Sequence, residues 1–486
     1  MSFAALRLTL PTQGLDIGRE MLALYRDVLV NQVLDKDDIG SHLEKIVPHL
    51  HNLNRMPLDG DSRLSMTRSL IRHYLAYAEQ IARGAAELDR HVAALWPECK
   101  REMCYAAKLL LRDCAGQEKK ALRQYLYWSV ATLSEYLEEF SRQYRSQPGS
   151  LWGELHRLYY MAHSHGIADI HGAPPDNRSI EGRYKQALLL TASQPEHLSR
   201  TEQSIITGYL QKWSFRASLG RQESPTLNSH YYYIDMDSHL SLQNSRELQG
   251  IGNDETIIVL NPLPLIEQAR KHMKQLRTGL SADKIGMAPG QDSIDLFMTL
   301  KKAIACWRQD STRRFERYGC NQLTQAAIGL SSIHHYLRQQ GPSPSEMVTT
   351  RTLNRSKLGA CIEVAPGMTQ LDVGDILIHR DSGDQEGRLA IVRWLKHSRG
   401  YQQAGLEYIA GNLQPVALRQ DDKIAEALLI STADSDSLIT LKGQCTGNTA
   451  IRLKPFKQGP TLEAKAQSLV QRGQSVDQIR LKRTAV

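Results

Sequence analysis

Two short stretches hold the residue types best suited to gripping an anionic, planar ligand. The segment QDSTRRFERYGCN (309–321) carries Arg313, Arg314 and Arg317, with Arg313 and Arg317 in an R-x-x-x-R spacing. Each guanidinium is a planar fork of donors that can hold a phosphate bidentately, bond the O6/N7 edge of guanine or stack on a base. The segment RTLNRSKLGACIEV (351–364) carries Asn354, Ser356 and Gly359 in an N-x-S-x-x-G spacing. Asn354 and Ser356 offer short polar groups, and Gly359 lacks the Cβ that would block close backbone approach. Each stretch also has a plainer reading. R-x-x-x-R occurs on solvated basic helix faces, and N-x-S-x-x-G suits an ordinary turn.

The elements that must position these residues change character along the chain. Up to about residue 225, apolar residues recur at helical spacing in 21–34, 63–82, 119–140, 151–166 and 184–193. Ser199 and Glu202 form a capping-box pattern that opens one more helix. Residues 226–308 read as a mixed α/β connector, with strands in 230–237 and 255–261 and a helix in 293–307. From 309 to 422 the chain breaks into short alternating strands separated by Gly, Asp, Ser and Asn, the pattern of a small antiparallel barrel. Candidate strands in 425–431, 437–443 and 450–456 make 423–486 a β-rich C-terminal extension. The expected class is therefore α+β and multidomain: a mostly helical N-terminal region, a small barrel and this extension.

In that order and context the two motifs resemble the PilZ domain, the bacterial receptor module for cyclic di-GMP. The family carries R-x-x-x-R before its barrel and (D/N)-x-S-x-x-G on an early strand. Val373-Gly374-Asp375, the strand IVRW (391–394) and GLEYIAGNLQPV (405–416) fit as well, so the resemblance covers roughly 311–420. It implies that Arg313 and Arg317 clasp guanine and phosphate, with Arg314 a neighbouring candidate. Asn354, Ser356 and Gly359 would meet the ligand from the barrel. One departure stands out: thirty-six residues (318–353) separate Arg317 from Asn354, longer than is usual in the family.

The remaining features weigh less. A net charge of +8 and a pI near 9.0 suit an anionic partner without naming it. No stretch has the apolar length of a membrane span or a secretion signal, and the seven scattered cysteines form no C-x-x-C pair. A reducing cytoplasm is the simplest expectation. His163, His165 and His171, with His156 one helical face away, lack the companions of a recognised metal site. Asp235 and Asp237 could be a carboxylate pair, yet such residues more often end a strand. Eight Lys/Arg lie between 451 and 486, but Phe456 is the only aromatic among them, so nucleic-acid binding is not favoured.

The expectation is a cytoplasmic, non-enzymatic cyclic di-GMP receptor. It has no catalytic or metal residues and no cofactor beyond the ligand, and it relays ligand level to a protein partner through its helical region. The alternatives are a PilZ-like scaffold that has lost its ligand and a basic nucleic-acid-binding adaptor.

Overall fold

The computed structural model describes residues 6–15, 39–82, 90–113, 118–171, 178–221, 230–244, 256–309, 315–339, 347–381, 387–420, 423–445, 447, 449–456 and 459–483. The helix expected in 21–34 lies outside them. The chain divides into two compact units. One comprises Met1–Arg142, Gln147–Gln194 and Ser204–Asp310; the other comprises Gln143–Ser146, Pro195–Gln203 and Ser311–Val486.

The first unit is built on the helices α1 (Ile39–Leu53), α2 (Gly60–Ala82), α3 (Arg90–Asp113), α4 (Lys119–Arg142), α5 (Gly149–Ser164) and α6 (Ile180–Ala192), and on most of α7 (Arg200–Trp213). The side chains of α4 from Tyr125 to Leu133 are all buried, including Trp128 and Val130, as befits a helix covered on several sides. Buried charges in this core include two close pairs: Lys108 Nζ lies 2.8 Å from Glu154 Oε2, and Lys100 Nζ 2.9 Å from Glu139 Oε2. The capping box at the start of α7 forms as its sequence predicts. The Ser199 amide donates to Glu202 Oε2 at 2.9 Å, and the Glu202 amide donates to Ser199 Oγ at 3.3 Å.

The connector belongs to this same unit. Its antiparallel sheet, in the order β1-β4-β2-β3, joins β1 (Ser218–Arg221), β2 (Tyr232–Asp235), β3 (Gln243–Asn244) and β4 (Ile257–Asn261). Helices α8 (Leu263–Arg277) and α9 (Ser293–Trp307) complete it. Asp292 caps α9 by accepting from the amides of Ile294 and Asp295.

The second unit holds two closed antiparallel barrels. The first has the strand order β10-β7-β6-β5-β8-β9. Its strands are β5 (Tyr318–Ile328), β6 (Val348–Ser356), β7 (Gly359–Val364), β8 (Ile376–Asp381), β9 (Arg388–Ser398) and β10 (Tyr401–Tyr408). The second has the order β11-β12-β13-β16-β15-β14. Its strands are β11 (Asn412–Gln420), β12 (Lys423–Ser431), β13 (Asp436–Leu441), β14 (Ala450–Pro455), β15 (Leu462–Arg472) and β16 (Val476–Arg483). What the sequence presents as an extension is thus a barrel of its own. Strand β11, read from sequence as the end of the first barrel, pairs with β12 and β14 instead.

Helix α10 (Leu330–Gln339) accounts for much of the long spacer between the two motifs. Its Leu330, Ile333 and Tyr336 share one apolar cluster with Ile376, Ile378 and Ile391 of the first barrel and with Leu428, Ile430 and Ile439 of the second. The spacer therefore runs down a strand of the first barrel, through a helix that packs on both barrels, and back into the first.

Candidate functional site at one end of the first barrel

Strands β5 and β6 are antiparallel neighbours, with Tyr318 opposite Arg355 and Gly319 opposite Asn354. The long spacer leaves and returns at the same barrel end, so the two motif segments meet. Arg317 directly precedes β5 and is exposed; Arg313 and Arg314 lie outside the described residues. Burial pushes the Cys361 thiol up to about 11, and the Arg317 guanidinium partly counters that rise. Cys361 is the β7 partner of Asn354. Arg317 and Asn354 thus converge on one patch.

Asn354 Oδ1 is buried and has no hydrogen-bond partner among the described residues. Leaving such an acceptor unsatisfied costs about 1–3 kcal/mol, which an incoming donor would recover. Ser356 and Gly359 bracket the tight turn from β6 to β7, where Ser356 Oγ donates to the Gly359 carbonyl at 3.4 Å. A Cβ on Gly359 would lie 2.0 Å from the Leu406 carbonyl oxygen of β10. The backbone whose approach demands glycine is therefore a neighbouring strand of the barrel.

Sequence reasoning missed what lies beneath this patch. Arg355 makes a bidentate ion pair with Asp381, which raises the Arg355 pKa, chiefly through the hydrogen bonds. Below it runs a chain of buried polar contacts. Thr324 Oγ1 lies 3.1 Å from Thr352 Oγ1, which lies 3.0 Å from His379 Nε2; His379 Nδ1 lies 3.0 Å from the Tyr408 hydroxyl. Arg388 stands over the Tyr408 ring at 5.3 Å. Burial lowers the His379 pKa to about 4, with Arg355 and Arg388 adding to the effect and Asp381 opposing it. At neutral pH the imidazole is uncharged and supports the ring of polar groups without adding to its charge. The signal was there in alternation: on β8, Leu377, His379 and Asp381 share one face.

The other candidates resolve without a site. His156 is a fully buried, satisfied core residue, 2.7 Å from both the Tyr184 hydroxyl and the Leu240 carbonyl. His163 stacks on Tyr159, and His165 Nδ1 lies 2.8 Å from the Met161 carbonyl. Among the described residues, the group close enough to share a metal is His51, Glu98 and Glu102 instead. Glu102, however, already holds Arg55 and Arg101, whose charges oppose a cation. Asp235 accepts from the Asp237 amide, closing a turn at a strand end. Of the basic residues after 451, Arg452, Arg472 and Arg483 pair with Glu463, Asp477 and Asp436.

A closed six-stranded barrel that carries N-x-S-x-x-G at the end of one strand, with an arginine segment entering beside it, has the make-up of a PilZ domain. Two models of the PilZ-containing cyclic di-GMP receptors match the chain in the order of its units. The model described as "Cyclic-di-GMP receptor FimW, N-terminal domain" matches residues 26–224, and "Cyclic-di-GMP receptor FimW, middle PilZ domain" matches residues 338–415. The cyclic-di-GMP receptor FimW of Pseudomonas aeruginosa is 23% identical over 330 residues, which cover 64% of this chain and 52% of that protein. The chain thus spans about half the length of the curated relative it matches. The PilZ barrel is a middle domain, and the region expected from sequence as a β-rich C-terminal extension is a complete second barrel that follows it. Among the described residues, no helix is long and apolar enough to cross a membrane.

Proposed function

We propose that this chain is a cytoplasmic, non-enzymatic receptor for cyclic di-GMP, bound at the end of the first barrel where β5 begins and β6 ends. The observation that carries this reading is the β5–β6 register, which sets Gly319, two residues after Arg317, opposite Asn354 with its unpartnered Oδ1. Arg317, with Arg313 and Arg314 upstream, grips phosphate and the guanine edge. Asn354 donates and accepts from the barrel rim, and Ser356 and Gly359 shape the turn that presents it. The family descriptions and the FimW relative support the choice of ligand. Ligand would draw the arginine segment onto the rim, shifting the population of that segment only as far as its affinity for the two arrangements differs. The helical N-terminal region then passes this change to a protein partner.

Isothermal titration of the full chain with cyclic di-GMP tests the proposal. Saturable binding that Arg317→Ala and Asn354→Ala each weaken supports it. Absence of binding by the wild type, or binding by both variants as tight as the wild type's, refutes it.

A further inference from the structure

A separate cleft of about 760 Å³ opens at the opposite end of the same barrel, where β7 ends and β9 turns into β10. That volume falls in the range of small-molecule sites. Arg145 and Arg399 line it with His397, and Thr369, Gln370, Ser398 and Gln402 are its other polar side chains. None of its described lining residues is Asp or Glu. Arg200 adds a further positive charge close to His397, whose pKa is lowered by burial and by Arg200 and Arg145.

Both lining arginines are held by the backbone. Arg399 and Gly400 have φ of +51° and +83° at the centre of the β9–β10 turn, which Ser398 and Tyr401 close as a cross-strand pair. Such turns ordinarily take Asn, Asp or Gly at the first central position, so an arginine there is an unusual choice. Arg145 is fixed from another part of the chain. The His397 amide donates to the Tyr144 carbonyl at 2.7 Å, and Arg145 forms an isolated parallel bridge with His397.

We propose that this cleft is a second ligand site, independent of the Arg317–Asn354 end, that takes a small phosphate-bearing anion. Arg145 and Arg399 supply the forks for its oxygens, and the Ser398 and Thr369 hydroxyls add neutral donors. The lining offers no large aromatic platform, so phosphate is the group recognised. The anion could come from free pyrophosphate or from the diphosphate of a nucleotide.

The test uses the full chain with its histidines isotope-labelled at Cε1, titrated with inorganic pyrophosphate and, separately, with GDP. The expected result is a saturable shift of the His397 signal. Arg399→Asn, which suits the positive-φ turn, and Arg145→Gln should each weaken it at least about tenfold, the loss of one charge-assisted contact. A shift with both ligands assigns recognition to phosphate alone, and a shift with GDP only assigns the site to nucleotides. Arg317→Ala/Asn354→Ala should leave the shift intact, so this site and the cyclic di-GMP reading can fail separately. A His397 signal unmoved by either ligand, or one that moves in the Arg399→Asn and Arg145→Gln variants as it does in the wild type, overturns the proposal.

Discussion

Gly319 of β5 and Asn354 of β6 are direct cross-strand partners. Between them the chain completes a strand, packs helix α10 between two barrels and returns. The ends of that excursion are fixed by backbone pairing, so its length is no obstacle to a site formed from both motifs.

If that pairing builds the ligand site, removing either side should cost affinity and leave the fold alone. Arg317→Ala and Asn354→Ala are each expected to weaken cyclic di-GMP binding at least about tenfold, the scale of a lost hydrogen bond to a charged group. Arg317 is exposed, so its thermal midpoint should stay at the wild-type value. Titration calorimetry beside a melting curve separates the two effects.

Gly359 gives the opposite pattern. Its Cβ position lies 2.0 Å from the Leu406 carbonyl oxygen, so Gly359→Ala must push β7 from β10. A loss of about 3 kcal/mol is expected from overpacking a strand contact of this kind, measured by urea unfolding. A variant as stable as the wild type would show that the turn tolerates a side chain and that glycine is there for another reason.

Acid should loosen the barrel. The His379 pKa is lowered from 6.5 to about 4 on folding, so between those values the unfolded chain binds the proton more readily. Stability is then complete above about pH 6.5 and falls as pH drops toward 4, by up to about 3 kcal/mol from this residue. His379→Gln removes the titrating group and should flatten that part of the stability–pH curve. An unchanged slope would assign the acid sensitivity to another histidine, such as His156, whose pKa is also lowered to about 4.

Tyr144 supplies a fourth test. It is 3% exposed in the core of the first barrel, and its hydroxyl donates to Asp372 Oδ1 at 2.6 Å, 228 residues along the chain. Burial and the neighbouring Asp372 carboxylate push the phenol pKa well up, so it remains a donor. Tyr144→Phe keeps the ring and strips Asp372 of that donor, at an expected cost of about 1–3 kcal/mol in chemical denaturation.

Local rules recovered much of this architecture. Helix α9 matches its periodic stretch 293–307, and the Ser199–Glu202 capping box forms because both partners lie within one turn. The strands of the PilZ barrel follow their alternation and turn residues. Closure of the second barrel was not legible, because it depends on β11 choosing β14 over β10, and the alternation of a strand does not specify its partner. The candidate site divided in the same way. Residue types at fixed spacing exposed Arg317 and Asn354. Asp381 and Tyr408 join them only through pairings made by folding, and Gly359 proved to be set by a carbonyl on another strand.

The second unit is discontinuous: Tyr144 fills the core of a barrel whose first strand begins at Tyr318. Any fragment that starts at residue 311 would lack an aromatic side chain from its own interior and leave Asp372 without its phenol donor. On the ribosome the order is reversed, since that tyrosine emerges long before the strands that enclose it. The barrel is thus completed by a piece of chain that must wait for it, and gene fusions or truncations placed between residues 203 and 311 would divide one folding unit rather than separate two.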